Sequence, residues 1–253
     1  MRSPEHDEIL PGGNMAGEVR RIGETVRRLT GPWTPGVHHL LRHLEQVGFH
    51  GAPRALGIDE QAREILSFIP GEVVHPRVLD DTDLARVACL IGEFHTAAAS
   101  FVQPADARWQ TIGRDPSGVD ELICHNDLAP WNLIVGDQDW AFIDWDLAAP
   151  GRRLWDLALP ACTFVPLWPE QPADMRRYHM FCEAYGLSSV DEHELLNVVV
   201  ERTQRMWQTL VDNVDREPYA TLVLEGHANG WRSVAEYVKQ QKTLWRGQLS
   251  PLQ

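Results

Sequence analysis

The chain has 253 residues, 43% of them hydrophobic and 23% charged, enough apolar content to bury a core and far from the composition of disordered chains. Its formal net charge of −13 opposes binding to nucleic acid, whose phosphates would be repelled, and either favours a cationic partner or simply maintains solubility. A polar start carrying Glu5, Asp7 and Glu8 lacks the basic-then-apolar order of a secretion signal, and no stretch approaches ~20 apolar residues, so a cytoplasmic protein without a membrane span is expected.

Leu10-Pro11-Gly12-Gly13 reads as a loop, and Val19 to Arg28 as two short strands that turn at Gly23-Glu24. Thr34-Pro35 opens a helical run over Val37 to Val47, with Leu40, Leu41 and Leu44 on one face and Gly48 as its stop. Residues 55–58 and 64–69 pattern as a second hairpin around Asp59-Glu60-Gln61. Pro70-Gly71 then closes a small β-rich lobe, residues 1–70. Leu84, Val87, Ala88, Ile91 and Phe94 recur at helical spacing from Asp81 to near Ala99 and open a second lobe, residues 71–253. A loop over 103–119 leads to the apolar stretch 121–124, and the extended runs 132–135 and 140–143 flank a turn at Gly136. From Met175 the pattern is almost wholly helical, with 194–211 and 220–244 the longest segments.

Cys89, Cys124, Cys162 and Cys182 are too far apart for a CxxC metal or redox motif and are expected to be buried free thiols. His38, His39 and His43 find no further ligand within reach of a metal and read as a solvated helix face.

Chemistry concentrates in His125-Asn126-Asp127-Leu128-Ala129-Pro130-Trp131-Asn132, followed by Ile143-Asp144-Trp145-Asp146. Phosphoryl transfer from a nucleotide rests on positioning and charge neutralisation, for which three oxygen-bearing side chains suffice. Asp127, at the tip of a loop after a short strand, can accept or orient the proton of an attacking hydroxyl. Asn132 and Asp144, on adjacent strands of a hairpin, offer the hard oxygens that Mg²⁺ prefers. Asp146 is either a further metal contact or a solvated neighbour.

The two motifs closely resemble the signature of the aminoglycoside phosphotransferases and choline-kinase-like enzymes, relatives of the protein kinases. Gly151-Arg152-Arg153-Leu154-Trp155-Asp156-Leu157-Ala158 is similar to that family's next segment. The resemblance implies an α+β, bilobal protein-kinase-like fold, with a small N-terminal β-sheet lobe plus helix and a large, mainly helical C-terminal lobe. It implies ATP or GTP as phosphate donor, Mg²⁺, and a small-molecule hydroxyl as acceptor. His125 and Asp156 would support the catalytic loop. Ser67-Phe68-Ile69-Pro70-Gly71 resembles the hinge, with Ser67 and Ile69 the backbone contacts to the base. Gly12 and Gly13 stand where the family has its loop over the phosphates, without its G-x-G-x-x-G pattern, and a plain turn is the alternative.

The family's strand lysine and helix glutamate have no plain counterpart. Thr25-Val26-Arg27-Arg28 offers arginines instead, and alternation puts Arg28 with Val26 on one face, so Arg28 is the candidate phosphate contact, with surface charge as the alternative. In the helix, Val37, His38 and His39 stand near the expected glutamate and Glu45 lies too late. These departures leave a second reading open, a nucleotide-binding pseudokinase or regulatory module, against which Asp127 argues because a binding module needs no proton acceptor. A protein-directed kinase is disfavoured by the short stretch from Asp144 to Asp156. The helical half would shape the acceptor pocket; Trp207, Trp231 and Trp245 fall in it and either line that pocket or pack the core, and Glu201, Asp212 and Asp215 either receive a cationic acceptor or are solvated.

Overall fold

The computed structural model describes residues 7–10, 18–137 and 139–249. Among the described residues five strands form the N-terminal antiparallel sheet: β1 (Asp7–Leu10), β2 (Val19–Ile22), β3 (Thr25–Leu29), β4 (Ala55–Ile58) and β5 (Arg63–Ser67), in the order β1-β2-β3-β5-β4. Strand β1 lies within a stretch whose acids gave no strand pattern. It is stabilised by pairing with β2 and by an ion pair between Asp7 and Arg20 at 2.9 Å. In the β3–β5 pair Arg28 stands directly opposite Glu64, which matters for the site.

Helix α1 (Thr34–Gln46) crosses between β3 and β4 and buries Val37, Leu40, Leu41 and Leu44. Pro35 near its first turn costs no hydrogen bond, because those amides have no intrahelical partner. The histidines of α1 do not form the expected solvated face. His38 is buried beside the apolar stripe, and His43 lies 3.0 Å from the Ala97 carbonyl.

After β6 (Glu72–Val73) comes α2 (Asp81–Ala98), whose N-cap Asp80 accepts from the Asp83 amide at 2.8 Å and satisfies one of the free first-turn donors. Strand β7 (Leu122–Cys124) pairs with β10 (Ala149–Gly151). Strand β6 joins the hairpin of β8 (Leu133–Val135) and β9 (Trp140–Phe142) in a second small sheet. The helical part continues with α3 (Arg153–Thr163), α4 (Met175–Tyr185), α5 (Ser189–Asp212), α6 (Tyr219–Leu224) and α7 (His227–Arg246). The run read as one helix over 220–244 is two, because Gly226 takes φ 90° and turns the chain between α6 and α7.

The architecture is the bilobal protein-kinase-like α+β fold: a small sheet with α1, then a larger helical part holding most of the core. Trp145, Trp155, Tyr178, Phe94, Phe142 and Phe181 are fully buried there. Cys124, Cys162 and Cys182 are buried free thiols as expected, whereas Cys89 is exposed.

Candidate active site

Strand β7 delivers the chain to His125-Asn126-Asp127, and Asp156 in the first turn of α3 grips this loop. Its carboxylate accepts the His125 amide at 2.8 Å and the Asn126 amide at 2.7 Å, and His95 Nε2 lies 3.0 Å away. Burial alone would raise the Asp156 pKa, but the hydrogen bond and charge of His95 with the donated amides lower it. The helix N-terminus favours the same ionised state. Asn126 adopts φ 66°, in the left-handed region that asparagine tolerates better than most residues, and its side-chain amide donates to the Leu147 carbonyl at 2.9 Å.

His125 is fully buried. Its Nδ1 accepts the Asp127 amide at 3.2 Å, and its Nε2 lies 3.1 Å from the Ile143 carbonyl. Burial pushes its pKa down, so the ring is a neutral strut with both nitrogens engaged rather than a base.

Asp127 is half-buried. Its Oδ2 accepts from the Asn132 side chain at 2.7 Å and, at the longer distance of 3.4 Å, from Trp131 Nε1. Burial, and then the negative charge of Asp144, raise its pKa to about 6 against the opposing charge of Arg202 and the bonds from Trp131 and Asn132. Asn132 belongs to a single 3₁₀ turn, Pro130–Asn132, rather than to the strand itself. Its amide nitrogen also donates to the Asp127 carbonyl at 3.0 Å, which commits the nitrogen and leaves the amide oxygen as the atom that could hold a cation.

Asp144 takes φ 63° at the end of β9, before the turn Trp145–Leu147. Arg28 reaches it from the N-terminal sheet: Nη1 donates to Asp144 Oδ1 at 2.7 Å, Nη2 to Asp146 Oδ1 at 2.7 Å, and Nε to Glu64. The second oxygen of Glu64 lies 2.9 Å from His38 Nε2. Burial works against the Arg28 charge, but Asp146, Asp144 and Glu64 together raise its pKa. Asp146 is pushed up to about 6 by burial despite Arg28. The carboxylate that meets the Arg28 Nε thus comes from β5, and α1 contributes His38 beside it. A signal for Glu64 existed in the alternation of β5, where Glu64 and Leu66 share the buried face. Arg27, on the opposite strand face, bonds Thr25 Oγ1 at 2.6 Å.

At the hinge, the Ser67 amide donates to the Arg54 carbonyl at 3.0 Å and its hydroxyl accepts the Arg54 amide at 2.8 Å, while the Phe68 amide donates to Glu24 at 2.9 Å. Ser67, Ile69 and Gly71 line a cavity of about 1130 Å³ together with Phe49, Arg54 and Val135. None of Arg28, Asp127, Asn132 or Asp144 is among its described lining residues. Gly12 and Gly13 lie outside the described residues.

Beside Asp127, Trp131 begins an aromatic wall with Trp231 and Trp168, ring centroids 6.5 and 5.4 Å apart. Glu201, Asp212 and Asp215 are exposed. Glu201 lies 3.8 Å from Arg152, and Asp212 accepts from Gln208 at 2.6 Å.

The model of the phosphotransferase enzyme family matches residues 96–196, which include Asp127, Asn132, Asp144 and Asp156. The chain is 34% identical over 197 residues, 72% of its own length and 76% of the relative's, to the trifolitoxin immunity protein of Rhizobium leguminosarum bv. trifolii. Its fold is similar to that of an amicoumacin kinase determined with AMP-PNP and Ca²⁺ (TM-score 0.66, 12% identity, 96% of this chain and 89% of that one). It is also similar to a microcompartment-associated aminopropanol kinase (TM-score 0.66, 14% identity, 96% and 94%).

Proposed function

The chain belongs to the phosphotransferase enzyme family, and from that premise we propose that it is a Mg²⁺-dependent kinase moving the γ-phosphate of ATP, or GTP, onto a hydroxyl of a small molecule. The observation that carries this reading is the convergence of Asp127, Asn132 and Asp144, with Asp127 half-buried, hydrogen-bonded to Asn132 and electrostatically coupled to Asp144.

The oxygen set fits a divalent cation. Asp144 and Asp146 already bind one positive group, the Arg28 guanidinium, at 2.7 Å each, and the Asn132 amide is turned with its nitrogen toward Asp127. Asn132 and Asp144 would hold Mg²⁺, which neutralises nucleotide phosphate charge when bound. Asp127 takes the acceptor's proton as the hydroxyl oxygen bonds the γ-phosphorus and the bridging bond to the β-phosphate breaks. Three of the five N–H groups of Arg28 are spent on carboxylates, leaving two for phosphate oxygens.

The nucleotide lies between the lobes of residues 1–70 and 71–253, against Ser67–Ile69. The acceptor enters over Asp127 from the side of Trp131 and Trp231. The name of the immunity-protein relative supports an antimicrobial compound as acceptor, and the net charge of −13 suits a cationic one. Among the described residues no helix is long and apolar enough to cross a membrane, and the reading places the enzyme in the cytoplasm.

A screen of hydroxyl compounds, antimicrobials and amino alcohols first, with nucleotide consumption as readout, tests the proposal. Tight Mg·ATP binding with no acceptor found across such a panel would favour the pseudokinase reading.

Two further results are expected. Since Asp127 must be unprotonated to accept a proton, and its pKa is raised from 3.8 to about 6, kcat/KM should fall about tenfold per pH unit below pH 6 and level off above it. An acidic limb near pH 4 in the pH–rate profile would contradict the role. Arg28→Ala should raise the nucleotide KM or lower kcat by about 10–100-fold, the value of a charge-assisted contact, while Arg27→Ala changes either by about twofold or less. Small, equal effects of both in steady-state kinetics would reduce Arg28 to a structural charge.

A further inference from the structure

Arg202 sits on α5 with only 2% of its surface exposed, and no carboxylate forms an ion pair with it among the described residues. Its Nη1 donates to the Gly113 carbonyl at 2.8 Å, and its Nη2 to the carbonyl of Asn126, the residue before Asp127. The guanidinium carbon stands 5.0 Å from the centre of the Trp155 ring, and Nε is buried without a hydrogen-bond partner. Desolvation presses its pKa down, yet arginine stays charged.

For stability alone this is a poor arrangement. Burying a cation costs several kcal/mol, and an apolar side chain of similar volume commonly serves as well or better. What the guanidinium supplies that an apolar group cannot is a grip on the catalytic loop. Asn126 is held at three points: its amide by Asp156, its side chain by the Leu147 carbonyl, and its own carbonyl by Arg202. That carbonyl belongs to the peptide that begins Asp127. Gly113 accommodates the approach: it takes φ 74°, and a Cβ there would lie 3.3 Å from Nη2. Its carbonyl, which also accepts Trp155 Nε1 at 2.8 Å, braces the guanidinium from the other side.

We propose that Arg202 is a positioning residue for phosphoryl transfer, fixing the Asn126–Asp127 peptide so that the Asp127 carboxylate faces the acceptor, with a permanent positive charge behind it. The proposal rests on the reading of Asp127 as proton acceptor.

A double-mutant cycle separates the two ideas, using Mg·ATP turnover with water as acceptor and thermal melting to verify folding. Arg202→Met should lower kcat about 10²-fold, the scale of a misplaced catalytic group, with the nucleotide KM unchanged within about twofold. Arg202→Lys, which keeps the charge and can reach one carbonyl, should recover part of the loss. In an Asp127→Asn background neither change should reduce kcat further, because the group being positioned has lost its function. An equal loss in both backgrounds, or a KM that rises with the fall in kcat, would overturn the role of Arg202. No effect of Asp127→Asn alone would instead overturn the reading of Asp127. If Arg202→Met does not fold, Arg202→Lys decides: folded protein with wild-type kcat overturns the proposal, and a loss confined to the Asp127 background supports it.

Discussion

Asp127→Asn is expected to lower kcat by about 10²–10⁴-fold, the usual contribution of general-base assistance, with nucleotide affinity nearly unchanged. The substitution keeps size and polarity and replaces a basic oxygen by an amide. The two donors that now reach Oδ2, from Asn132 and Trp131, can still be met by the amide oxygen, so the loop has no reason to rearrange. Nucleotide and metal are assigned to other residues, which predicts a fall in kcat rather than a rise in the nucleotide KM. Steady-state kinetics with an acceptor from the screen reads both constants, and a wild-type kcat would remove Asp127 from the mechanism.

The second large effect is expected at Asp144. A ligand at 100 times its dissociation constant stabilises a protein by about 2.7 kcal/mol, which for a chain of this size is about 5–10 °C in Tm. Mg·ATP should produce a shift of that order in the wild type and none in Asp144→Ala. The variant should still fold: Asp144 is partly exposed, and Arg28 keeps Glu64 and Asp146 as partners. Removing the carboxylate also removes a negative charge that raises the Asp127 pKa, so any residual acidic limb should move to lower pH. An undiminished Mg·ATP shift in Asp144→Ala would dismiss it as a metal ligand.

Legibility in the sequence followed distance along the chain. Asp127 and Asn132 are five residues apart and Asp144 follows just past the returning strand β9, so turn and hairpin geometry bring them together without knowledge of the rest of the fold. Alternation placed Arg28 and Arg27 on opposite faces of β3, and the structure gives them different partners. Alternation marks Glu64 as facing inward on β5, but its pairing with Arg28 comes from the β3–β5 register, which no local pattern states. From the sequence His38 reads as solvated because the apolar stripe of α1 fixes only the centre of its buried face, and the margin is decided by what packs there, here a buried glutamate. Arg202 is 76 residues from the carbonyl it holds, on a helix whose periodicity says only that this face is inside. The break at Gly226 shows a further limit, since apolar spacing on either side is compatible with one continuous helix and only the backbone angle separates two.

The most direct test of the central claim follows the transferred phosphate itself. With an acceptor from the screen, Mg²⁺ and ATP, phosphorus NMR should show a phosphate monoester of the acceptor hydroxyl appearing one for one with ADP, and the Asp127→Asn protein should form it about 10²–10⁴ times more slowly. Free phosphate in place of the ester, or an ester formed at the same rate by Asp127→Asn, would contradict the account.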